Sequence, residues 1–310
     1  MNAPAAPTRP PKRPRRAALL IAGAALLFSV MGLCVKLASP LYSAGEIVFY
    51  RSLVGMAVMG AVLHRQGLPL GTRVPWMHAW RSLVGVTALC LWFVAIGQLP
   101  LATAMTLNYT SSVWMALFLM GGAVLFGQGG IDGRLVAAVM VGFAGVALIL
   151  RPTIDQQQVW YGLVGLASGL LAALAYLQVT ALGRVGEPEA RVVFYFSAGG
   201  VLAGAGLALA GGGFSAHSLK GVGLLLATGV LATVAQFMMT RAYAIGSTLA
   251  NAALQYLGLV FSFVFGAWLF GDPVTLTAVL GVGMIMAAGL TATWLTARAK
   301  APTASSPTET

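Results

Sequence analysis

The sequence predicts an all-α polytopic membrane protein, ten transmembrane helices arranged as two inverted five-helix repeats around a central cavity. Three observations carry this. The 310 residues are 59% hydrophobic and only 8% charged, against roughly 25% charged in a soluble domain. Seven acids and eighteen bases cannot clothe a soluble fold of this size. The apolar runs are long and unbroken instead of alternating with period two, which selects helices over a barrel, since every backbone amide must be satisfied within the bilayer. Finally, short motifs recur in the same order in both halves.

The elements follow in chain order. Residues 1–16 alternate Pro with Arg and Lys and predict a disordered basic cytoplasmic arm. The charge-free run 17–35 exceeds the roughly 7–15 apolar residues of a cleavable signal peptide and suits the ~20 residues that cross a bilayer. It reads as a retained first span. Further spans lie near 45–63, 80–98, 101–126, 134–150, 159–182, 191–210, 220–240, 248–270 and 274–296. A single helix from Ser82 to Phe126 would be about twice as long as the hydrocarbon core is thick. Gly97, Gln98 and Pro100 therefore predict a break between spans three and four, and Gly246, Ser247 and Thr248 another between spans eight and nine. The tail 298–310 is Pro, Ser and Thr rich and is expected to be disordered and cytoplasmic.

Orientation follows from the bases. With the amino terminus inside, fourteen bases, Arg81, Arg184, Arg191 and Arg241 among them, fall near cytoplasmic ends. Only Lys36, Arg151 and Lys220 fall outside. This places both termini in the cytoplasm of a bacterial-type inner membrane.

The repeat divides the chain into halves at 17–151 and 158–297. Val48-Phe49-Tyr50-Arg51-Ser52 recurs as Val193-Phe194-Tyr195-Phe196-Ser197, and Gly55 as Gly200. Leu107-Asn108-Tyr109 resembles Leu254-Gln255-Tyr256, and Leu125-Phe126-Gly127 matches Leu269-Phe270-Gly271. Five spans is an odd number, so the halves enter the membrane from opposite sides, an arrangement common among secondary transporters.

Phe49-Tyr50-Arg51 early in span two, and Leu269-Phe270-Gly271-Asp272 followed by Gly281, Gly283 and Gly289, carry a family resemblance. With the span number and the repeat, residues 17–297 resemble the drug/metabolite transporter superfamily in its EamA-like branch. The resemblance implies two five-helix bundles around a central cavity, used by relatives for amino acids, nucleosides and other metabolites. Gln128 departs from it, standing where an acid often follows Gly after span four, while Asp272 keeps the acid in the second half. The proline common in the middle of spans four and nine is absent from both.

Polar side chains in lipid-spanning helices usually face the bundle interior, although they also serve as glue between helices. In span four, Asn108 and Ser112 share a face with Ser111 and Met115; in span nine, Asn251 and Gln255 share one with Gly258 and Ser262. Span eight offers Gln236 and span six Tyr176. Trp92 lies inside a span, away from the interface where Trp is usual, and with Tyr109 and Tyr256 suggests a partly apolar or aromatic solute. The candidate binding set is thus Trp92, Asn108, Tyr109, Ser112, Tyr176, Gln236, Asn251, Gln255 and Tyr256. Arg51 is a possible charge partner for a carboxylate, with snorkelling or an interhelical contact the preferred reading. No Asp or Glu falls deep in a span, so a buried proton relay is unsupported. An anionic cargo would call for more central bases than the spans offer.

These readings favour export of neutral or aromatic amino acids by alternating access. The alternative is uptake or exchange of a nucleoside-like metabolite such as S-adenosylmethionine. An intramembrane enzyme, the rival of another class, would need clustered catalytic groups, whereas His64, His78 and His217 are read in connections and the acids at span ends. Cys34 and Cys90 lie in apolar runs, so no metal or disulfide is indicated, and no cofactor is expected. The net charge of +11 is spread over connections and the arm, which argues against nucleic acid. The expected partners are a small-molecule substrate and the lipid bilayer, and a monomer is compatible with the sequence.

Overall fold

The computed structural model describes residues 13–99, 101–125, 132–150, 159–270 and 275–298. It is all-α. The helices are α1 (Pro14–Ala38), α2 (Ala44–Arg65), α3 (Pro75–Gln98), α4 (Leu101–Tyr109), α5 (Ser111–Leu125) and α6 (Gly133–Leu150). They continue with α7 (Val159–Arg184), α8 (Glu189–Ala210), α9 (Leu219–Ile245), α10 (Thr248–Leu254), α11 (Leu257–Phe265) and α12 (Leu276–Arg298), with a π-helical turn at Gly266–Phe270 after α11. Among the described residues, seven stretches are long and apolar enough to cross a membrane: α1, α2, α3, α7, α8, α9 and Thr248–Leu269. Outward-facing Leu19, Leu202 and Trp268 are each more than 70% exposed, a surface suited to acyl chains and not to water. The chain is therefore an all-α polytopic membrane bundle.

Local chemistry sets the helix ends. Pro14 and Pro75 open α1 and α3, where the missing N–H costs nothing. Ser43 and Glu46 form a capping box on α2. The two breaks expected from sequence fall where Gly97–Pro100 and Gly246–Thr248 put them: α3 ends at Gln98 and α9 at Ile245. Lys36 secures the first by donating from Nζ to the carbonyls of Ile96 (2.9 Å), Gly97 (3.3 Å) and Leu99 (2.7 Å), satisfying groups that a helix end leaves bare. The expected arm and tail fall mostly outside the described residues, except that α1 already begins at Pro14. Gln128 and Asp272 lie outside them too.

Two further interruptions were not expected. The stretch 101–125 breaks at Thr110, and 248–265 breaks at Gln255 and Tyr256. Neither contains a proline. The Thr110 hydroxyl donates to the Leu107 carbonyl at 2.6 Å, a side-chain bond that competes with the helical ladder. At the second break, Ser29 Oγ donates to the Gly258 carbonyl at 2.6 Å. Both breaks fall at or next to the repeated Leu-Asn-Tyr and Leu-Gln-Tyr motifs.

The most extensive helix pairings are α2 with α8, α1 with α9, α6 with α12, and α3 with α7. Helices α2 and α8 run antiparallel, since Gly45 meets Leu207 and Ala208 while Gly60 meets Phe194. Their contact is reciprocal: the Ser197 hydroxyl fills the space beside Gly55, and the Ser52 hydroxyl fills that beside Gly200. Gly145 lets α6 approach the Gly281 carbonyl of α12. Gly121 and Gly122, by contrast, face no described neighbour and form no such seam.

Candidate functional site

A partly open cavity, about 690 Å³ of empty space counting its mouth, lies where two large buried clusters meet. Its wall takes Phe28 from α1, Arg51 from α2, Arg81, Leu89 and Trp92 from α3, and Asn108 and Tyr109 from the end of α4. Tyr176 comes from α7, Phe196 from α8, Gln236 and Met239 from α9, and Gln255 from the break before α11. None of the lining residues comes from α6 or α12.

Of the residues singled out from sequence, Trp92, Asn108, Tyr109, Tyr176, Gln236, Gln255 and Arg51 face this cavity. The two amides are held by neighbours. Asn108 Nδ2 donates to Ser168 Oγ at 3.1 Å, and Gln255 Nε2 to the Tyr243 hydroxyl at 2.7 Å. Tyr243 in turn stacks on Tyr176, with ring centroids 5.6 Å apart. These bonds fix the polar groups before any solute arrives.

Three candidates lie elsewhere. Ser112 Oγ donates to the Ala252 carbonyl at 2.8 Å, and Asn251 Nδ2 to the Ala242 carbonyl at 2.8 Å. Tyr256 is fully buried away from the cavity, its ring against Gly142. The face shared by Asn108 and Ser112 passes through the interruption at Thr110, and Asn251 lies in α10, ahead of the break at Gln255 and Tyr256.

Arg81 is the residue that sequence reading missed. Counted among loop charges, it lies in the second turn of a helix that starts at Pro75, not near 80, and is only 3% exposed. Arg51 is also buried, at 5%, so it neither snorkels nor faces headgroups. Both guanidiniums lie over the ring of Phe196, Cζ to centroid 4.2 Å for Arg81 and 5.5 Å for Arg51, within cation–π range. One signal was in the repeat, where Phe196 stands in the position of Arg51. The cavity thus holds two bases, where the sequence reading counted too few for an anionic cargo.

Polar clusters strap both ends of the α2–α8 pair. At one end, Glu46 accepts from the Ser215 backbone N–H at 2.5 Å and from its hydroxyl at 3.0 Å, and His217 Nε2 bonds the Tyr50 hydroxyl at 2.7 Å. At the other, Glu187 accepts from Thr72 at 2.7 Å and Arg191 at 2.9 Å, with His78 Nε2 3.4 Å away. His78 is a buried residue of α3, not of a connection, and its ring packs 4.7 Å from that of Tyr195. Tyr50 and Tyr195 are repeat partners, and each meets a histidine. Tyr50 therefore belongs to an end cluster and not to the cavity. The described residues hold no group of three His, Cys, Asp or Glu able to bind a metal, and Cys34 and Cys90 are free thiols.

Comparison with known proteins follows the same line. The EamA-like transporter family matches residues 15–151. The chain is 32% identical over 271 residues to a pseudopaline exporter of Pseudomonas aeruginosa, covering 87% of this chain and 93% of that one. It is 29% identical over 286 residues to a riboflavin transporter of Rhizobium johnstonii, covering 90% and 91% respectively. A crystal structure at 19% identity superposes with a TM-score of 0.73 over 92% of this chain and 99% of that one, a likeness of fold. The chain belongs to the EamA-like family of the drug/metabolite transporter superfamily.

Proposed function

We propose that the chain is a secondary transporter or facilitator that moves a small metabolite through this cavity by alternating access, with export of neutral or aromatic amino acids as the leading activity. The observation that carries the reading is a cavity walled by aromatic and amide side chains from both halves of the chain. The aromatic lining of Phe28, Trp92, Tyr109, Tyr176 and Phe196 suits a partly apolar solute. Kinship with an exporter supports outward movement. Kinship with a riboflavin transporter favours, as the second reading, a nucleoside-like heterocyclic cargo.

The packing supports ten spans in two inverted repeats. If α4 with α5 counts as span four and α10 with α11 as span nine, the repeat exchanges spans one to five with six to ten. It then maps the α2–α8 pair and the α6–α12 pair each onto itself, and exchanges α1–α9 with α7–α3. Those are the four most extensive pairings. The distribution of bases supports a cytoplasmic position for both termini.

The test is transport by purified protein in liposomes, with labelled amino acids, riboflavin and S-adenosylmethionine offered with and without a pH gradient. At least one compound should be carried, and Asn108→Ala combined with Gln255→Ala should lower its rate by about tenfold or more, equivalent to ~1.4 kcal/mol. Unchanged transport by the double variant would remove these two amides from the site.

A further inference from the structure

Two buried cations without an anion need an explanation. Arg51 Nε and both Nε and Nη1 of Arg81 are buried with no hydrogen-bond partner, although an arginine removed from water ordinarily finds a carboxylate or a ring of acceptors. The described acids are engaged elsewhere. Glu46 is held by Ser43 and Ser215, Glu187 by Thr72 and Arg191, and Glu189 by Arg241, while Asp132 accepts from the Arg134 backbone. The Phe196 ring offers its face to both guanidiniums, but a ring face leaves their in-plane N–H forks open. Both side chains border the cavity.

We infer that the transported solute is an organic oxyanion, an apolar or aromatic metabolite bearing a carboxylate or phosphate, whose charge docks between Arg51 and Arg81 above Phe196. A guanidinium fork matches either oxyanion with two parallel N–H bonds. The body of the solute lies against Phe28, Leu89, Trp92 and Tyr176. Among the described residues that line the cavity none is an acid that would receive an ammonium, so this wall selects an acid over a zwitterion. The inference rests on the transport reading and replaces its zwitterionic amino-acid cargo with an organic acid that carries no ammonium group.

The experiment is calorimetric binding to the full-length protein in nanodiscs with two matched pairs. N-acetyltryptophan against its carboxamide isolates a carboxylate; flavin mononucleotide against riboflavin isolates a phosphate. The charged member of at least one pair should bind about tenfold tighter than its neutral partner, and the pair that responds identifies the oxyanion. Arg51→Gln and Arg81→Gln should each erase that preference, bringing the affinity of the charged member down to that of its neutral partner. Should a glutamine variant fail to fold, Arg81→Lys keeps the charge but loses the fork, and should weaken the anion selectively by a smaller factor. Equal affinity within both pairs, no binding of either anion, or equal loss for both members of a pair overturns the inference. If wild-type liposomes still carry a neutral compound in that case, transport stands and only the assignment of the arginines falls.

Discussion

Glu187, in the connection between α7 and α8, joins three separate pieces of chain through Thr72, Arg191 and His78. Burial pushes its carboxyl upward, but the bonds from Thr72 and Arg191 and the nearby charges of Arg191 and His78 outweigh that and hold it below the usual carboxylate range. A carboxyl whose folded pKa is depressed stabilises fully above its unfolded value, and the contribution is lost as pH falls through the folded one. Thermal stability in detergent should therefore hold from neutral pH to about 5 and fall below about 4, near and beneath the ordinary carboxylate pKa. Glu187→Gln should cost roughly 1–3 kcal/mol at neutral pH, because it weakens charge-assisted bonds and leaves Arg191 with only the Pro69 carbonyl, and should flatten the acid limb. A variant that melts like the parent at pH 7 and at pH 4 would show that this cluster holds nothing together.

Helix α8 makes a test of the packing between elements. A Cβ on Gly204 would sit 2.5 Å from the Phe49 backbone nitrogen and 2.7 Å from its Cα, whereas one on Gly206 would meet nothing. Backbone cannot rotate away as a side chain does, so Gly204→Ala must push α2 and α8 apart. It should destabilise by roughly 1–3 kcal/mol, while Gly206→Ala should be neutral or gain up to ~1 kcal/mol from helix propensity. Equal melting temperatures for the two variants would contradict the antiparallel contact. Much at this scale was legible in the sequence. Span positions, the breaks at Gly97–Pro100 and Gly246–Thr248, and the α2–α8 motif followed from apolar length, turn residues and repetition. The mid-span breaks were not, because a threonine hydroxyl interrupts α4 from α5 where a proline was the signal sought. Ser112 falls beyond that interruption and outside the cavity wall, and Arg81 was counted with the loop bases because its helix begins at Pro75, earlier than its hydropathy suggests.

At the scale of the whole molecule, the α1–α9 and α3–α7 seams are the parts that the proposed repeat exchanges, and both adjoin the cavity. The α2–α8 pair, packed backbone to backbone and strapped by polar clusters at both ends, is suited to stay fixed. In the alternating-access cycle proposed above, one seam would part at one mouth while its counterpart closes the other. Two-state rocking of this kind is the usual behaviour of inverted repeats. The α3–α7 seam offers a direct handle, because a Cβ on Gly165 would lie 3.5 Å from that of Ala95, within the roughly 3.5–4.5 Å that a disulfide spans. In a background with Cys34 and Cys90 changed to Ala, Ala95→Cys with Gly165→Cys should cross-link on oxidation. Liposome transport should then fall about tenfold or more and recover on reduction, the reduced protein measuring the cost of the substitutions themselves. A cross-linked protein that carries solute at the reduced rate would mean that α3 and α7 never separate during the cycle, and the opening would have to lie along another seam.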